Sequence, residues 1–542
     1  MQTISKINHL TIKCFLSGLF FVLLFVSCQT KYDVGFSTVS IEPTDETVSL
    51  SLAGYALPYL GRFSLTWDEA GDFPDGIVTT QSMKDDIISL TCDSQRQYAL
   101  TSNGWLMQRP LGKKDAEWQR IGYNNGNTYT IDIKQIVFAK GKLYALASDG
   151  KWYSSRHSTT GDLSARTIAV RKGNSTVVIT GVDVCGFEYS FTQSIKEEIS
   201  RRRAIPSDAI MINASHTHFA PVTQKWTTWA KHSQLPDSAY LNHVVRKGII
   251  QSIEEALDRM EPSYLYFGRD TADIGFNRRF KDEQALYDNT VDVVKVSSID
   301  GQMKTLLFLT GCHPVYTDPT SGNFTVTANF PGYARSLIEE QTGAVNTVFL
   351  QGCAADIDPK EPFKTTGKKL VGDVIRALNK KMEPVKGSIN FDMDSLKIPV
   401  SPWTKEEIIS FKNEAINGNL VHYLAERNII WADMMLDNDE KDVMPKETTI
   451  YIQTFNIGDW KLIGLSREVT TEFGLAIRNI LPHKKVSVAA YTNDVTSYLA
   501  TDQHIREKTY EGYDSFFWYG QPSPFPEKTF DAVLEYIKMK NK

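Results

Sequence analysis

Ala209-Ile210-Met211-Ile212-Asn213 runs without a break into Ala214-Ser215-His216-Thr217-His218-Phe219-Ala220-Pro221. The first stretch is short, apolar and rich in isoleucine, which suits a buried strand. That strand ends on two histidines with a proline behind them. Histidines two apart on an extended segment point to one side, so both imidazoles can reach a common site. In α/β proteins, ligands gather at the ends of strands. Taken alone, a pair of this kind also occurs as core or surface histidines.

Working outward, the 176–183 segment Thr176-Val177-Val178-Ile179-Thr180-Gly181-Val182-Asp183 reads as a second buried strand, and residues 191–203 as a helix between the two. An amphipathic helix is expected over 240–260. Leu306-Leu307-Phe308-Leu309 and Val348-Phe349-Leu350 belong to further buried strands. The first of these leads into Thr310-Gly311-Cys312-His313-Pro314, a second histidine just past a strand. Pro331 suits the first turn of a helix ending at Gly343. Thr404 and Glu407 have capping-box spacing for a helix in the 400s. The predicted fold class is α/β, a mixed sheet core flanked by helices.

One segment breaks this texture. Tyr98-Ala99-Leu100-Thr101-Ser102-Asn103-Gly104-Trp105 is echoed by Tyr144-Ala145-Leu146-Ala147-Ser148-Asp149-Gly150-Lys151-Trp152. Each copy is a strand, an Asn/Asp-Gly turn and an aromatic strand, as in a propeller blade. Two blades cannot close a propeller. Residues 82–157 are therefore expected to form an inserted antiparallel β-module, and residues 28–81 and 158–542 one catalytic domain around it.

Composition narrows the function. The net charge of −5 and the lack of a long basic run argue against nucleic acid as a partner. Of the six cysteines, at 14, 28, 92, 185, 312 and 353, the last four have no CxxC spacing and are expected to be buried structural thiols. At the N-terminus Lys6 and Lys13 precede an apolar run from Phe15 to Val26. That run is shorter than the roughly 20 residues of a membrane-spanning helix and has the layout of an export signal. Phe25-Val26-Ser27-Cys28 resembles a bacterial lipobox. Residues 1–27 are read as a lipoprotein signal peptide, with Cys28 acylated and the chain anchored in the bacterial cell envelope, periplasmic or at the surface.

Several separated stretches, always in the same order, resemble the neutral/alkaline non-lysosomal ceramidase family. They are Leu52-Ala53-Gly54-Tyr55, His216-Thr217-His218 with Pro221, Asn277-Arg278, Cys312-His313-Pro314, Phe330-Pro331-Gly332-Tyr333-Ala334, Phe349-Leu350-Gln351-Gly352, Gly464-Leu465-Ser466-Arg467-Glu468-Val469-Thr470-Thr471, Tyr498 to Thr501, and Tyr510-Glu511-Gly512. The resemblance implies a Zn²⁺ enzyme that hydrolyses an acyl amide. It implies His216, His313, Glu468 and Tyr498 as metal ligands, a set of imidazole nitrogens and hard oxygens that suits zinc. It also implies His218, Arg278 and Tyr510 around the scissile carbonyl, stabilising the developing oxyanion.

The chain departs from the family in three places. Asp358, in Gln351-Gly352-Cys353-Ala354-Ala355-Asp356-Ile357-Asp358-Pro359, stands where the family has its catalytic serine. Phe219 stands where a small polar residue is usual. The resemblance runs only to about residue 525, so the family's C-terminal immunoglobulin-like domain is not expected. A carboxylate beside activated water reads as a general base. The expected substrate is therefore lipid-like or otherwise N-acylated, and ceramide is one candidate. Alternatives on the same fold are an esterase, a peptide-like amidase, or a surface lipoprotein that binds through a degenerate site.

Overall fold

The computed structural model describes residues 29–43, 50–53, 65–69, 87–94, 96–112, 118–120, 131–229, 233–315, 325–481 and 484–541. The export signal, Cys28, the Gly54-Tyr55 pair and the 81/82 boundary lie outside these residues.

The main sheet runs in the order Ile210–Ala214, Ser175–Val182, Ser164–Lys172, Tyr32–Ser40, Glu261–Thr271, Thr290–Ser298, Met303–Thr310 and Asn346–Gln351, with Glu383–Pro384 added on Glu261–Thr271. Two steps in it are parallel, Ser175–Val182 with Ile210–Ala214 and Met303–Thr310 with Asn346–Gln351. Each crosses over through a helix, Tyr189–Arg203 in the first case and Asn329–Thr342 in the second. A second sheet orders Ile389–Pro399, Glu447–Ile457, Trp460–Leu465 and Lys485–Ala489. Its parallel step, Trp460–Leu465 with Lys485–Ala489, carries helix Thr471–Ile480. The fold is the expected mixed α/β sheet with helices on its faces.

The runs Leu306–Leu309 and Val348–Leu350 are buried at every position. Their continuous hydrophobicity, without alternation, is what a strand covered on both faces requires. Close approach sets the strand ends. A Cβ on Gly311 would lie 2.6 Å from the Cys353 carbonyl oxygen, so only glycine lets the loops after Thr310 and Gln351 run side by side. Asn213 joins the two sheets: its Nδ2 donates to Ala490 O at 2.5 Å, and its Oδ1 accepts from Gln351 N at 2.8 Å.

Local signals read from the sequence reappear. Thr404 and Glu407 form a reciprocal capping box on helix Lys405–Asn417. Gly343 closes Asn329–Thr342 at φ 70°, in the left-handed region. The expected helix over 240–260 is divided, a π-helical turn Tyr240–Arg246 followed by the α-helix Lys247–Asp258.

Between the first two strands of the main sheet, the chain builds two four-stranded antiparallel sheets. One holds Ile87–Cys92, Arg96–Thr101, Leu106–Pro110 and Gln119–Arg120; the other holds Ile133–Ala139, Lys142–Ala147, Trp152–His157 and Leu65–Glu69. Tyr98, Leu100, Leu106, Ile133, Ile136, Leu143 and Ala145 form one small core within them. The echoed strands each lie one in from an edge of their sheets, Arg96–Thr101 beside Ile87–Cys92 and Lys142–Ala147 beside Ile133–Ala139. The second sheet recruits Leu65–Glu69 from upstream of residue 82, because Trp152–His157 needs a partner on its open edge.

Candidate metal centre and its surroundings

The predicted site residues follow strand ends. His216 comes just after Ile210–Ala214, His313 after Met303–Thr310, Asp358 after Asn346–Gln351, Glu468 after Trp460–Leu465, and Tyr498 after Lys485–Ala489. Both sheets aim these ends at one region, the usual ligand position of α/β sheets.

The histidine pair meets, but by a different geometry from the one expected. His216 is not extended: its φ is 63°, a left-handed conformation costly for a side chain with a Cβ. Neighbouring backbone hold it there, with His216 N donating to Val184 O at 2.9 Å and Ala214 N to Tyr491 O at 3.0 Å. The chain then turns at His218, whose Nε2 lies 3.2 Å from His216 Nε2. A tight turn, and not strand alternation, brings the rings together.

His216, His313 and Glu468 are almost fully buried, and their donor atoms lie within 4.8 Å of one another. Glu468 Oε2 is 3.0 Å from His216 Nε2 and 3.4 Å from His313 Nε2. The opposite nitrogens are fixed by backbone: His216 Nδ1 to Cys185 O at 2.6 Å and His313 Nδ1 to Ala354 O at 2.6 Å. This leaves both Nε2 atoms aimed inward, the usual arrangement of metal-ligating histidines. Glu468 Oε2 and His313 Nε2 are buried with no aligned hydrogen-bond partner. Unsatisfied polar atoms facing one another in a core cost free energy, and a cation between them removes that cost. Two imidazole nitrogens and a carboxylate oxygen are a donor set that fits zinc.

The electrostatics point the same way. Burial works against a charged His216, but Glu468 outweighs it and raises the imidazole to about 10. Burial likewise opposes the Glu468 charge, yet His216 holds the carboxyl well below its ordinary range. The carboxylate thus demands a positive partner. Burial, then His216 and His313, keep His218 neutral, far below the usual imidazole value.

Tyr498 enters beside Glu468 because the two are paired in a short parallel ladder, Glu468–Val469 with Tyr498–Leu499. Burial, reinforced by Glu468, holds its phenol protonated. The Tyr510 ring stands edge-on to Tyr498 at 5.4 Å, presented by a π-helical turn Tyr510–Asp514. Such turns recur at functional sites. Arg278 lies between Asp358 and Tyr498, with Nη1 3.1 Å from Asp358 Oδ1 and Nη2 3.5 Å from the Tyr498 hydroxyl. Arg278 and Asp358 meet because Gly275–Asn277 pairs with Ile357–Pro359.

Four neighbours carry no sequence signal of their own. Glu511, buried, accepts from Arg278 Nε at 2.9 Å and from Arg279 Nε at 2.5 Å. The Tyr491 ring packs against His216 at a tilt of 33°, with centroids 4.3 Å apart. The Cys185 thiol lies 3.8 Å from His216 Nδ1. The Tyr519 hydroxyl donates to Glu468 Oε1. Only Glu511 sat inside a quoted motif; the others became visible when distant segments met. Cys185, Cys312 and Cys353 are the expected buried free thiols, whereas Cys92, at the end of a strand of the β-module, is exposed.

No family model and no curated sequence relative matches the chain. Solved structures do. The neutral ceramidase from Pseudomonas aeruginosa superposes with a TM-score of 0.60 at 15% identity, over 94% of this chain and 73% of that one. A ceramidase complexed with C2 superposes with a TM-score of 0.59 at 13% identity, over 94% of this chain and 74% of that one. The chain has the neutral-ceramidase fold.

Proposed function

We propose that the protein is a zinc-dependent hydrolase of an acyl amide, acting on a lipid-like or otherwise N-acylated substrate. The observation that carries the proposal is the buried convergence of His216, His313 and Glu468, with Glu468 Oε2 and His313 Nε2 having no aligned hydrogen-bond partner, in a neutral-ceramidase fold. Tyr498, ladder-paired with Glu468, is the proposed fourth ligand. Zinc held by these residues would supply Lewis acidity for the acyl oxygen and a lowered pKa for water.

The chain's own groups supply the rest. Arg278, anchored by Glu511 and Asp358, offers guanidinium N–H groups to the oxyanion that develops on the carbonyl. Neutral His218 and the protonated Tyr510 phenol add further donors at the same oxygen. Asp358 takes a proton from the attacking water and returns it to the nitrogen of the departing amine. The four ligand positions are all filled by competent side chains, which favours catalysis over a degenerate binding site. We assign residues 28–64 and 158–542 to the catalytic domain and the paired strands between them to the inserted β-module. Export and lipidation at Cys28 remain part of the proposal on the strength of the Phe15–Val26 run. Among the described residues no helix is long and apolar enough to cross a membrane.

The test is a substrate panel. Purified protein lacking residues 1–28 is assayed with N-acyl sphingoid bases, N-acyl amino acids and matched esters, with and without a chelator. Amide turnover that the chelator abolishes supports the proposal. Turnover of esters alone moves the activity to the esterase reading, and turnover indifferent to chelation overturns the zinc mechanism.

A further inference from the structure

The two oxygens of Glu468 are treated differently. Oε2 faces His216 and His313 at 3.0 and 3.4 Å and has no aligned partner. Oε1 accepts the Tyr519 hydroxyl. A free carboxylate can turn so that both oxygens reach one cation. A fixed donor on one oxygen opposes that turn, because rotating the carboxylate pulls the oxygen away from the donor and weakens the hydrogen bond.

Tyr519 is such a donor. Its ring lies against Trp226 at 4.8 Å, Trp226 against Trp229 at 4.2 Å, and the edge of Tyr498 closes the other side at 6.0 Å. The backbone is pinned as well. Tyr519 N donates to Ser515 O at 3.3 Å, Thr228 Oγ1 donates to Trp518 O at 2.8 Å, and Gly520 turns the chain away at φ 61°. The Trp226 contact and the backbone hydrogen bonds do not involve Glu468, so they hold the hydroxyl in place independently of the carboxylate. We propose that Tyr519 is a positioning residue that holds Glu468 as a one-oxygen ligand and so keeps one coordination position of the metal centre open for water or the substrate's acyl oxygen. This rests on the metal-centre reading above. Catalytic zinc sites differ from structural ones by such an open position, and groups that orient ligands through hydrogen bonds tune affinity.

Tyr519→Phe keeps the ring and its packing and removes only the hydroxyl. Zinc affinity is read by competition with a chromophoric chelator, and coordination number by the visible bands of the cobalt(II) form. The control is Tyr513→Phe, a tyrosine packed on Phe516 and Phe517 away from Glu468. The expected result is zinc binding weakened by roughly 10- to 100-fold in Tyr519→Phe, the range for loss of a ligand-orienting group. Its cobalt bands should also weaken as Glu468 turns to give both oxygens. Tyr513→Phe should match wild type in both. Wild-type affinity and spectrum in Tyr519→Phe overturn the role of Tyr519 while leaving the metal centre standing. Failure of the wild-type protein to take up either metal overturns both readings together.

Discussion

His216 Nε2 lies 3.0 Å from Glu468 Oε2, although the two residues leave strands of different sheets. With no cation between them, the carboxylate draws a proton onto the imidazole and raises it to about 10. Raised above its ordinary 6.5, His216 stabilises the cation-free protein at pH below 6.5, and that contribution is lost as pH climbs toward about 10. Zinc needs the same nitrogen unprotonated. Metal uptake around pH 7.5 should therefore release about one proton from this pair, and affinity should rise with pH up to about 10. Calorimetry in buffers of differing ionisation enthalpy measures the released proton. A binding heat that does not depend on the buffer would show that His216 is already neutral.

Asp358 is held by Arg278 at 3.1 Å, beside the phenol of Tyr498. Asp358→Asn should keep fold and zinc but lower kcat by roughly 10²- to 10⁴-fold, the range for a general base. Asp358→Ser should not recover full activity on the natural substrate. Steady-state kinetics checks both. An Asn variant with wild-type kcat would leave Asp358 only as the partner that orients Arg278.

Cys28→Ser should release the protein from the membrane fraction with its hydrolytic activity intact, since a lipid there would only tether the chain. Mass spectrometry of the wild-type N-terminus should find an acylated Cys28. Unchanged membrane retention with an unmodified cysteine refutes the lipobox.

The β-module offers a test of independence. Replacing residues 65–157 with a Gly-Ser linker should leave zinc binding nearly unchanged, because the proposed ligands and the backbone groups at Val184, Cys185 and Ala354 that hold them lie after it. Among the described residues one ion pair to the host, Arg96 with Asp237 at 3.3 Å, would be lost, worth about 1 kcal/mol or less at a partly exposed site. Starting the deletion at 82 should do worse, since it strips Leu65–Glu69 of its partner strand and exposes an unpaired edge. Thermal melts compare the two. Loss of zinc and of folding in both would make the module part of the core.

Much of the scaffold was legible because it rests on local signals. Continuous apolar runs marked the buried strands, the Thr404–Glu407 box and Gly343 marked helix ends, and two histidines stood just past strands. What stayed hidden depends on distant partners. The ion pair of Arg278 with Asp358 follows from Gly275–Asn277 pairing with Ile357–Pro359, strands of three residues that leave no periodicity to read. Tyr519 sits in Phe516-Phe517-Trp518-Tyr519, an aromatic run that reads as packing until Glu468 is brought beneath it. The left-handed turn at His216 is imposed by the loops at Val184 and Tyr491, so the sequence around the histidine carries no glycine to announce it.

The most direct test of the central claim is zinc content by elemental analysis of the protein without residues 1–28, beside His216→Ala and His313→Ala. Wild-type protein should carry about one zinc per chain, and each variant should carry almost none while keeping its far-ultraviolet dichroism. Full zinc occupancy in both variants would contradict the account.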